Sequence, residues 1–297
     1  MTGRFGGVLT AMVTPFDGEG ALDLDAARDL ARFLVANGNE GLVVAGTTGE
    51  SPVLSDDERL SLLAAVTEAV TVPVVAGTTT NDTAHSVHLT AEATKLGVAG
   101  ILAVGPYYNR PSQAGIDAHV RAVAAVTNLP VMIYDIPIRT GRKISSETML
   151  GLAREVGNVV ALKDAAGNPA ETARVVASAP GHFEVYSGDD NMTLPLLAVG
   201  AVGVVGVATH WCGVDVGEML ALWAKGDTDG ARRVNARLLE SWAFETGDEA
   251  PNPVPSKAML REMGLRVGEC RLPMGPTPEW LPGRARQVLA NLQASRG

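Results

Sequence analysis

Of the five lysines in this chain, one closes an apolar run: Val159-Val160-Ala161-Leu162 leads into Lys163, and Asp164-Ala165-Ala166-Gly167 follows. Such a run reads as a buried strand. An ammonium carried into an interior without a partner tends to give up its proton rather than bear the desolvation cost. A neutral lysine is a nucleophile for a carbonyl carbon and forms a Schiff base with it. The bland alternative is that Lys163 snorkels to the rim of its strand and does not react. The other four lysines have ordinary places. Lys95 and Lys225 fall in the last turns of predicted helices, where positive charge suits the dipole. Lys143 lies in a polar loop, and Lys257 starts a C-terminal helix.

Other groups with chemical potential sit just after predicted strands. One loop reads Ala45-Gly46-Thr47-Thr48-Gly49-Glu50-Ser51, and another reads Gly105-Pro106-Tyr107-Tyr108-Asn109-Arg110-Pro111. A third runs Tyr134-Asp135-Ile136-Pro137-Ile138-Arg139-Thr140-Gly141, and a fourth Tyr186-Ser187-Gly188-Asp189-Asp190. Each has a structural reading. The Gly46–Gly49 segment suits a simple turn and is not a P-loop, since no Gly-Lys-Ser/Thr follows it. Tyr107 and Tyr108 suit an exposed or interface surface. Arg139 suits an exposed loop, and Asp189-Asp190 a helix start. Taken together they fit one chemistry. A lysine forms an imine with a ketone, and a tyrosine shuttles protons. Hydroxyls and amides hold one carboxylate, and an arginine clamps a second. His85 and His88 stand three apart on a predicted helix without further ligands and read as surface residues.

Eight short β-branched runs must position these loops: Gly7–Val13, Gly41–Ala45, Val72–Ala76, Gly100–Val104, Pro130–Asp135, Val159–Lys163, Phe183–Ser187 and Gly203–Val207. Amphipathic segments separate them. Asp23–Ala36 places Leu24, Ala27, Leu30, Ala31 and Leu34 at helical spacing. Ser55-Asp56-Asp57-Glu58 has the form of a capping box, and Ser145-Ser146-Glu147 marks a similar start. Gly38, Gly97, Gly157 and Gly226 mark helix exits. Regular strand–helix alternation predicts parallel strands with right-handed crossovers, hence an α/β (β/α)8 TIM barrel over residues 1–228. Residues 229–297 read as a helical extension, with helices at Gly230–Phe244, Pro253–Met263 and Pro278–Ala294. In such barrels the chemistry gathers at the C-terminal ends of the strands. A doubly wound open sheet would want a glycine-rich turn after the first strand, where Met12-Val13-Thr14-Pro15-Phe16 has no glycine.

Bulk properties exclude several classes. The net charge of −9, with no basic run, argues against nucleic-acid binding. Cys212 and Cys270 have no metal-ligand spacing and fit a reducing compartment. No signal-peptide pattern opens the chain, so a cytoplasmic location is expected. The longest apolar stretch, Leu194–Ala208, is broken by Pro195, Gly200, Gly203 and Gly206, and falls short of the roughly 20 residues a membrane span needs.

At the level of motifs the chain resembles the pyruvate-dependent class I aldolase family of dihydrodipicolinate synthase and N-acetylneuraminate lyase. The resemblance runs from Val8-Leu9-Thr10-Ala11 through Pro251-Asn252-Pro253 to Arg271-Leu272-Pro273. It rests on the Gly46–Glu50 motif, the Tyr134–Gly141 segment and the Lys163 strand. Both motif threonines, the intact Pro106–Pro111 segment and an arginine five residues after Tyr134 favour the dihydrodipicolinate synthase branch. That branch joins pyruvate to L-aspartate 4-semialdehyde in lysine and diaminopimelate synthesis. By resemblance, Lys163 forms the Schiff base and Tyr134 moves protons at the reacting centre. Thr47 links Tyr134 to Tyr108, and Tyr108 comes from a neighbouring subunit. Thr48 holds the pyruvate carboxylate, Arg139 recognises the semialdehyde carboxylate, and Gly188 and Val205 line the pocket. The resemblance further implies a homotetramer built as a dimer of dimers, with no metal or organic cofactor.

One departure concerns regulation. Lysine-inhibited relatives carry acidic and histidine ligands in a cleft near a dimer interface. Here Asp56 stands where a histidine is typical, His85 replaces a glutamate, and Pro52 and Arg59 also differ, while Asn81 and Tyr107 are kept. Neither form of an imidazole can replace a carboxylate facing an ammonium, so weak or absent feedback by L-lysine is expected. Two rival functions remain at this level. A sister aldolase acting on N-acetylneuraminate or 2-keto-3-deoxygluconate would keep Lys163 and Tyr134 without needing Tyr108 and Arg139 together. A catalytically silent binding protein on the same scaffold would not need the Lys163, Tyr134 and Thr47 set. A phosphate-binding isomerase is disfavoured, because Val207-Ala208-Thr209-His210-Trp211 is not a glycine-rich phosphate loop.

Overall fold

A computed structural model describes residues 3–296. Strand and helix alternate along the chain: β1 Val8–Ala11, α1 Leu24–Ala36, β2 Gly41–Val44, α2 Asp56–Ala69, β3 Val74–Gly77, α3 Thr83–Thr94, β4 Gly100–Val104 and α4 Gln113–Ala125. Next come β5 Val131–Asp135, the single turn α5 Pro137–Thr140, α6 Ser146–Glu155, β6 Val159–Asp164, α7 Pro169–Ser178, β7 Glu184–Ser187, the short α8 Thr193–Leu197 and β8 Gly203–Gly206. The chain ends in helices α9 Thr209–Ala224, α10 Thr228–Phe244, α11 Val254–Glu262 and α12 Leu281–Ser295. The eight strands follow one another in chain order around a closed barrel, the (β/α)8 architecture that the alternation predicts. All eight expected strands occur, with ends shifted by at most two residues. No strand follows β8 among the described residues. No described helix is long and apolar enough to cross a membrane.

By internal contacts the chain divides into two units, one of Pro73–Val205 with the N-terminal residues through Gly7, the other of Val8–Val72 with Gly206 onward. In the first unit the β5–β6 register shifts between Val131 and Met132, and beyond that point one row of partners runs from β4 to β8. Val104 pairs with Tyr134, Tyr134 with Lys163, Lys163 with Tyr186, and Tyr186 with Gly203. One row across five strands therefore carries both residues singled out for chemistry. Gly203 sits so close to the N-terminal segment that a Cβ would lie 2.3 Å from the Gly7 carbonyl oxygen, so only glycine fits there.

The second unit pairs β1 with β2 in parallel, Leu9 opposite Gly41 and Thr10 opposite Leu42. It also holds α1, α2 and the helices from α9 onward. The Asp23 side chain caps α1 by accepting from the Ala26 N–H at 2.8 Å. The capping box is complete: Ser55 Oγ accepts from the Glu58 N–H, and the Glu58 carboxylate accepts from the Ser55 N–H.

Three of the four expected helix-exit glycines, Gly38, Gly97 and Gly226, adopt positive φ. Gly157 does not; α6 ends at Val156 in an extended conformation and needs no left-handed residue. Asp189-Asp190 opens only a short 3-10 turn, and the Asp189 side chain caps nothing there. Cys212 lies inside α9 at a kink. It is buried, and its thiol donates to the Ala208 carbonyl at 3.0 Å, the setting of an inert structural cysteine.

Candidate active site

The apolar strand β6 delivers Lys163 into the interior at 4% exposure, and β5 brings Tyr134 beside it at 3%. The lysine Nζ lies 4.2 Å from the centre of the Tyr134 ring. Register explains the approach: the two residues are direct neighbours on adjacent parallel strands, so their side chains leave the sheet on the same face. A cation held over an aromatic face is stabilised by the ring quadrupole. A neutral amine is a nucleophile for a carbonyl carbon, and a phenol is a group able to carry protons to the oxygen that leaves as water.

The loops after β6 and β7 are fastened to one another and to α7. Asp164 Oδ2 accepts from Thr172 Oγ1 at 2.6 Å and Oδ1 from the Ala166 N–H at 3.0 Å, which ties the β6 loop to α7. The Gly188 N–H donates to the Asp164 carbonyl at 2.7 Å. A Cβ on Gly188 would meet the Ala165 Cβ at 2.9 Å, so the β7 loop closes onto the residues just past Lys163 only because position 188 is glycine. Burial pushes the Asp189 carboxyl up, while the nearby charges of Lys163 and Arg139 oppose that rise. Val205 is fully buried in β8.

Arg139 is exposed on α5, on a loop closed by a clasp that the sequence reading missed. Asp135, buried at the end of β5, accepts from the Lys143 ammonium and, at 3.1 Å, from the Ile144 N–H. Lys143, read from sequence as an ordinary loop cation, is thus the partner of a buried carboxylate. Thr140 Oγ1 donates to the Arg142 carbonyl at 2.9 Å, and the Arg142 guanidinium reaches the Arg110 carbonyl at 3.2 Å. The Arg139 loop therefore touches the loop that carries Tyr108. Tyr108 is 88% exposed with φ +72°, and Arg110 has φ +48°. Left-handed backbone at two bulky residues costs energy that ordinary loop closure does not require.

Thr47 and Thr48 belong to the second unit, in the loop after β2, with Thr47 half-buried and Thr48 buried. That loop ends at Glu50, which meets the second lysine the sequence reading passed over. Lys257 is 0% exposed, more deeply buried than Lys163. Its Nζ lies 2.7 Å from Glu50 Oε1, 3.0 Å from the Glu269 carbonyl and 4.1 Å from the centre of the Phe16 ring. Burial pulls its pKa down and the Glu50 carboxylate opposes the fall. Burial also pushes the Cys270 thiol beside this pair up to about 12.

His210 was likewise not singled out. It is fully buried; its Nε2 accepts from the Val13 N–H at 3.1 Å, and its Nδ1–H donates to the Val207 carbonyl at 2.7 Å. Those partners define a neutral ring, and burial lowers its pKa from 6.5 to about 4. The folded state therefore loses stability as pH falls from about 6.5, where the unfolded chain begins to bind the proton, to about 4, where the folded ring binds it too. We expect the melting temperature to drop through that window and His210→Gln to flatten the drop. Equal slopes in the two proteins would show that another group titrates. His85 is half-buried and His88 exposed on α3. Among the described residues no group of three or more His, Cys, Asp or Glu side chains is placed to hold a metal ion.

A barrel that buries an amine at the end of its sixth strand, against a phenol from its fifth, has the arrangement an imine-forming class I aldolase requires. The family model described as the dihydrodipicolinate synthetase family matches residues 4–290, and the chain belongs to that family. It is 50% identical over 288 residues to the 4-hydroxy-tetrahydrodipicolinate synthase of Acidothermus cellulolyticus, covering 96% of this chain and 92% of that protein. It is 47% identical over 279 residues to the enzyme of the same name from Moorella thermoacetica, covering 93% and 94%. Among solved structures, the lysine-bound dihydrodipicolinate synthase of Cyanidioschyzon merolae superposes with a TM-score of 0.95 at 40% identity, covering 98% of this chain and 99% of that one.

Proposed function

We propose that this protein is a lyase that condenses pyruvate with L-aspartate 4-semialdehyde to 4-hydroxy-tetrahydrodipicolinate, in lysine and diaminopimelate synthesis. The observation that carries the reading is the pairing of Lys163 Nζ with the Tyr134 ring at 4.2 Å, both buried. Lys163 attacks C2 of pyruvate; the carbinolamine oxygen takes up a proton and leaves as water, giving the imine. Loss of a methyl proton gives the enamine, whose carbon bonds to the aldehyde carbon of the semialdehyde. The aldehyde oxygen takes up a proton and becomes the 4-hydroxyl. The amine of the semialdehyde then displaces Lys163 from C2 and closes the ring. Tyr134 carries the protons, Thr47 relays them to Tyr108, and Thr48, Gly188 and Val205 hold the keto acid. Tyr108, exposed and backbone-strained, is supplied to the site of a neighbouring subunit in a homotetramer. The described residues from 229 onward form the helical extension, and the enzyme works in the cytoplasm without a cofactor.

The test is turnover with pyruvate and aspartate semialdehyde, coupled to a downstream reductase. Faster cleavage of N-acetylneuraminate or 2-keto-3-deoxygluconate would assign the chain to a sister aldolase instead. Arg139→Ala is expected to lower kcat/KM for the semialdehyde by about 10- to 100-fold, the worth of charge-assisted hydrogen bonds to a carboxylate. Imine formation with pyruvate should persist, and equal loss of both steps would remove Arg139 from semialdehyde recognition. With Asp56 and His85 in place of the usual ligands, L-lysine is expected to inhibit weakly or not at all; half-maximal inhibition below millimolar lysine would contradict this.

A further inference from the structure

The C-terminal residues 252–271 reach back to the Gly46–Glu50 loop at several points. Asn252 Nδ2 donates to Thr48 Oγ1 at 2.9 Å, with both side chains buried. Ser256 Oγ donates to Asn252 Oδ1 at 3.3 Å, which orients the side-chain amide, and the backbone N–H of Asn252 donates to Thr246 Oγ1 at 3.3 Å. The loop that presents Thr48 is itself held. Ala45 and Glu50 flank it at φ +56° each. Thr14 Oγ1 donates to the Gly49 carbonyl at 2.6 Å. The Glu50 carboxylate is gripped by Lys257 and by the Arg271 N–H, the latter at 2.9 Å.

A threonine hydroxyl has one proton to give and two lone pairs to receive. Asn252 can only donate through Nδ2, so it occupies the accepting side of Thr48 and leaves the hydroxyl proton for another acceptor. A carboxylate is such an acceptor and nothing else. We propose that Asn252 is a positioning residue that sets the Thr48 hydroxyl as a donor to the carboxylate of the keto acid, in a loop that Lys257 and Arg271 hold through Glu50. The inference rests on the reading that Thr48 binds pyruvate, and it extends that reading to a polarity imposed from the C-terminal helices.

Asn252→Asp is nearly isosteric and reverses the polarity, because a carboxylate at 252 takes the Thr48 proton for itself. The expected result is a rise of about 10- to 100-fold in the pyruvate concentration needed for half-maximal imine formation, read by borohydride trapping, with a much smaller change in kcat at saturation. Thr48→Val separates the hydrogen bond from the added charge: in that background Asn252→Asp should raise the half-saturating concentration little further. An equal rise with and without the Thr48 hydroxyl overturns the proposal. So does a folded Asn252→Asp enzyme with an unchanged pyruvate requirement, and so does a loss confined to kcat, which is the signature of reduced folded protein. Should Asn252→Asp fail to fold, Asn252→Ala, which removes the donor without adding charge, must still raise the pyruvate requirement, and an unchanged value overturns the proposal. If the unaltered protein traps no pyruvate at all, the functional reading fails before this inference is reached.

Discussion

Lys163→Met leaves the protein unable to capture pyruvate. Borohydride reduction in the presence of pyruvate adds one reduced adduct to the unaltered chain and none to the variant, and turnover falls on the order of 10⁴-fold or more, as for loss of other covalent nucleophiles. Methionine keeps the apolar length of the lysine stem, so the strand should still pack. The experiment is sharper than a simple loss of activity because the chain has two buried lysines. Lys257 is more deeply buried than Lys163, and each amine lies about the same distance from an aromatic ring. Burial therefore does not identify the nucleophile. What separates the two is the ring beside each: Lys163 faces the phenol of Tyr134, which can move protons, whereas Lys257 faces Phe16, which has none to move, and meets the Glu50 carboxylate and the Glu269 carbonyl. The Glu50 carboxylate favours the ammonium form of Lys257 against the fall that burial causes, and an ammonium has no lone pair for attack. Peptide mapping should place the whole adduct on Lys163, and an adduct on Lys257 would overturn the assignment.

Tyr134→Phe is expected to lower kcat by about 10²-fold or more, the usual worth of a positioned acid or base. The ring remains, so packing against Lys163 is kept and only the hydroxyl is lost. Imine trapping should be slowed rather than abolished, because solvent can still carry protons to an accessible intermediate. Near-normal turnover would remove Tyr134 from proton transfer and reduce it to the wall against which Lys163 packs. The two variants thus divide the site into a group that bonds to substrate and a group that moves its protons.

Much of this was legible without coordinates, for an identifiable reason. Strand and helix periodicity is a local property, so the barrel, the capping box at Ser55 and Glu58, and the position of Lys163 at the end of an apolar run could all be read along the chain. Where the local signal is weak the reading slipped. Gly157 follows a helix that stops in extended backbone, and Asp189 precedes only a 3-10 turn, which its side chain does not cap.

By itself the sequence determined the order of the elements, which loops follow which strands, and which chemical groups those loops carry, because each depends on residues close together in the chain. Tertiary structure alone decided which of those groups became partners. Thr48 and Asn252 are 204 positions apart, and the contact appears only when the chain has folded. The same holds for Asp135 with Lys143, whose pairing depends on how the β5 loop closes, and for Lys257, whose neighbours in sequence give no sign of the carboxylate it meets. Burial and the partners that a side chain meets set its chemistry, and both depend on how the chain folds rather than on any local pattern.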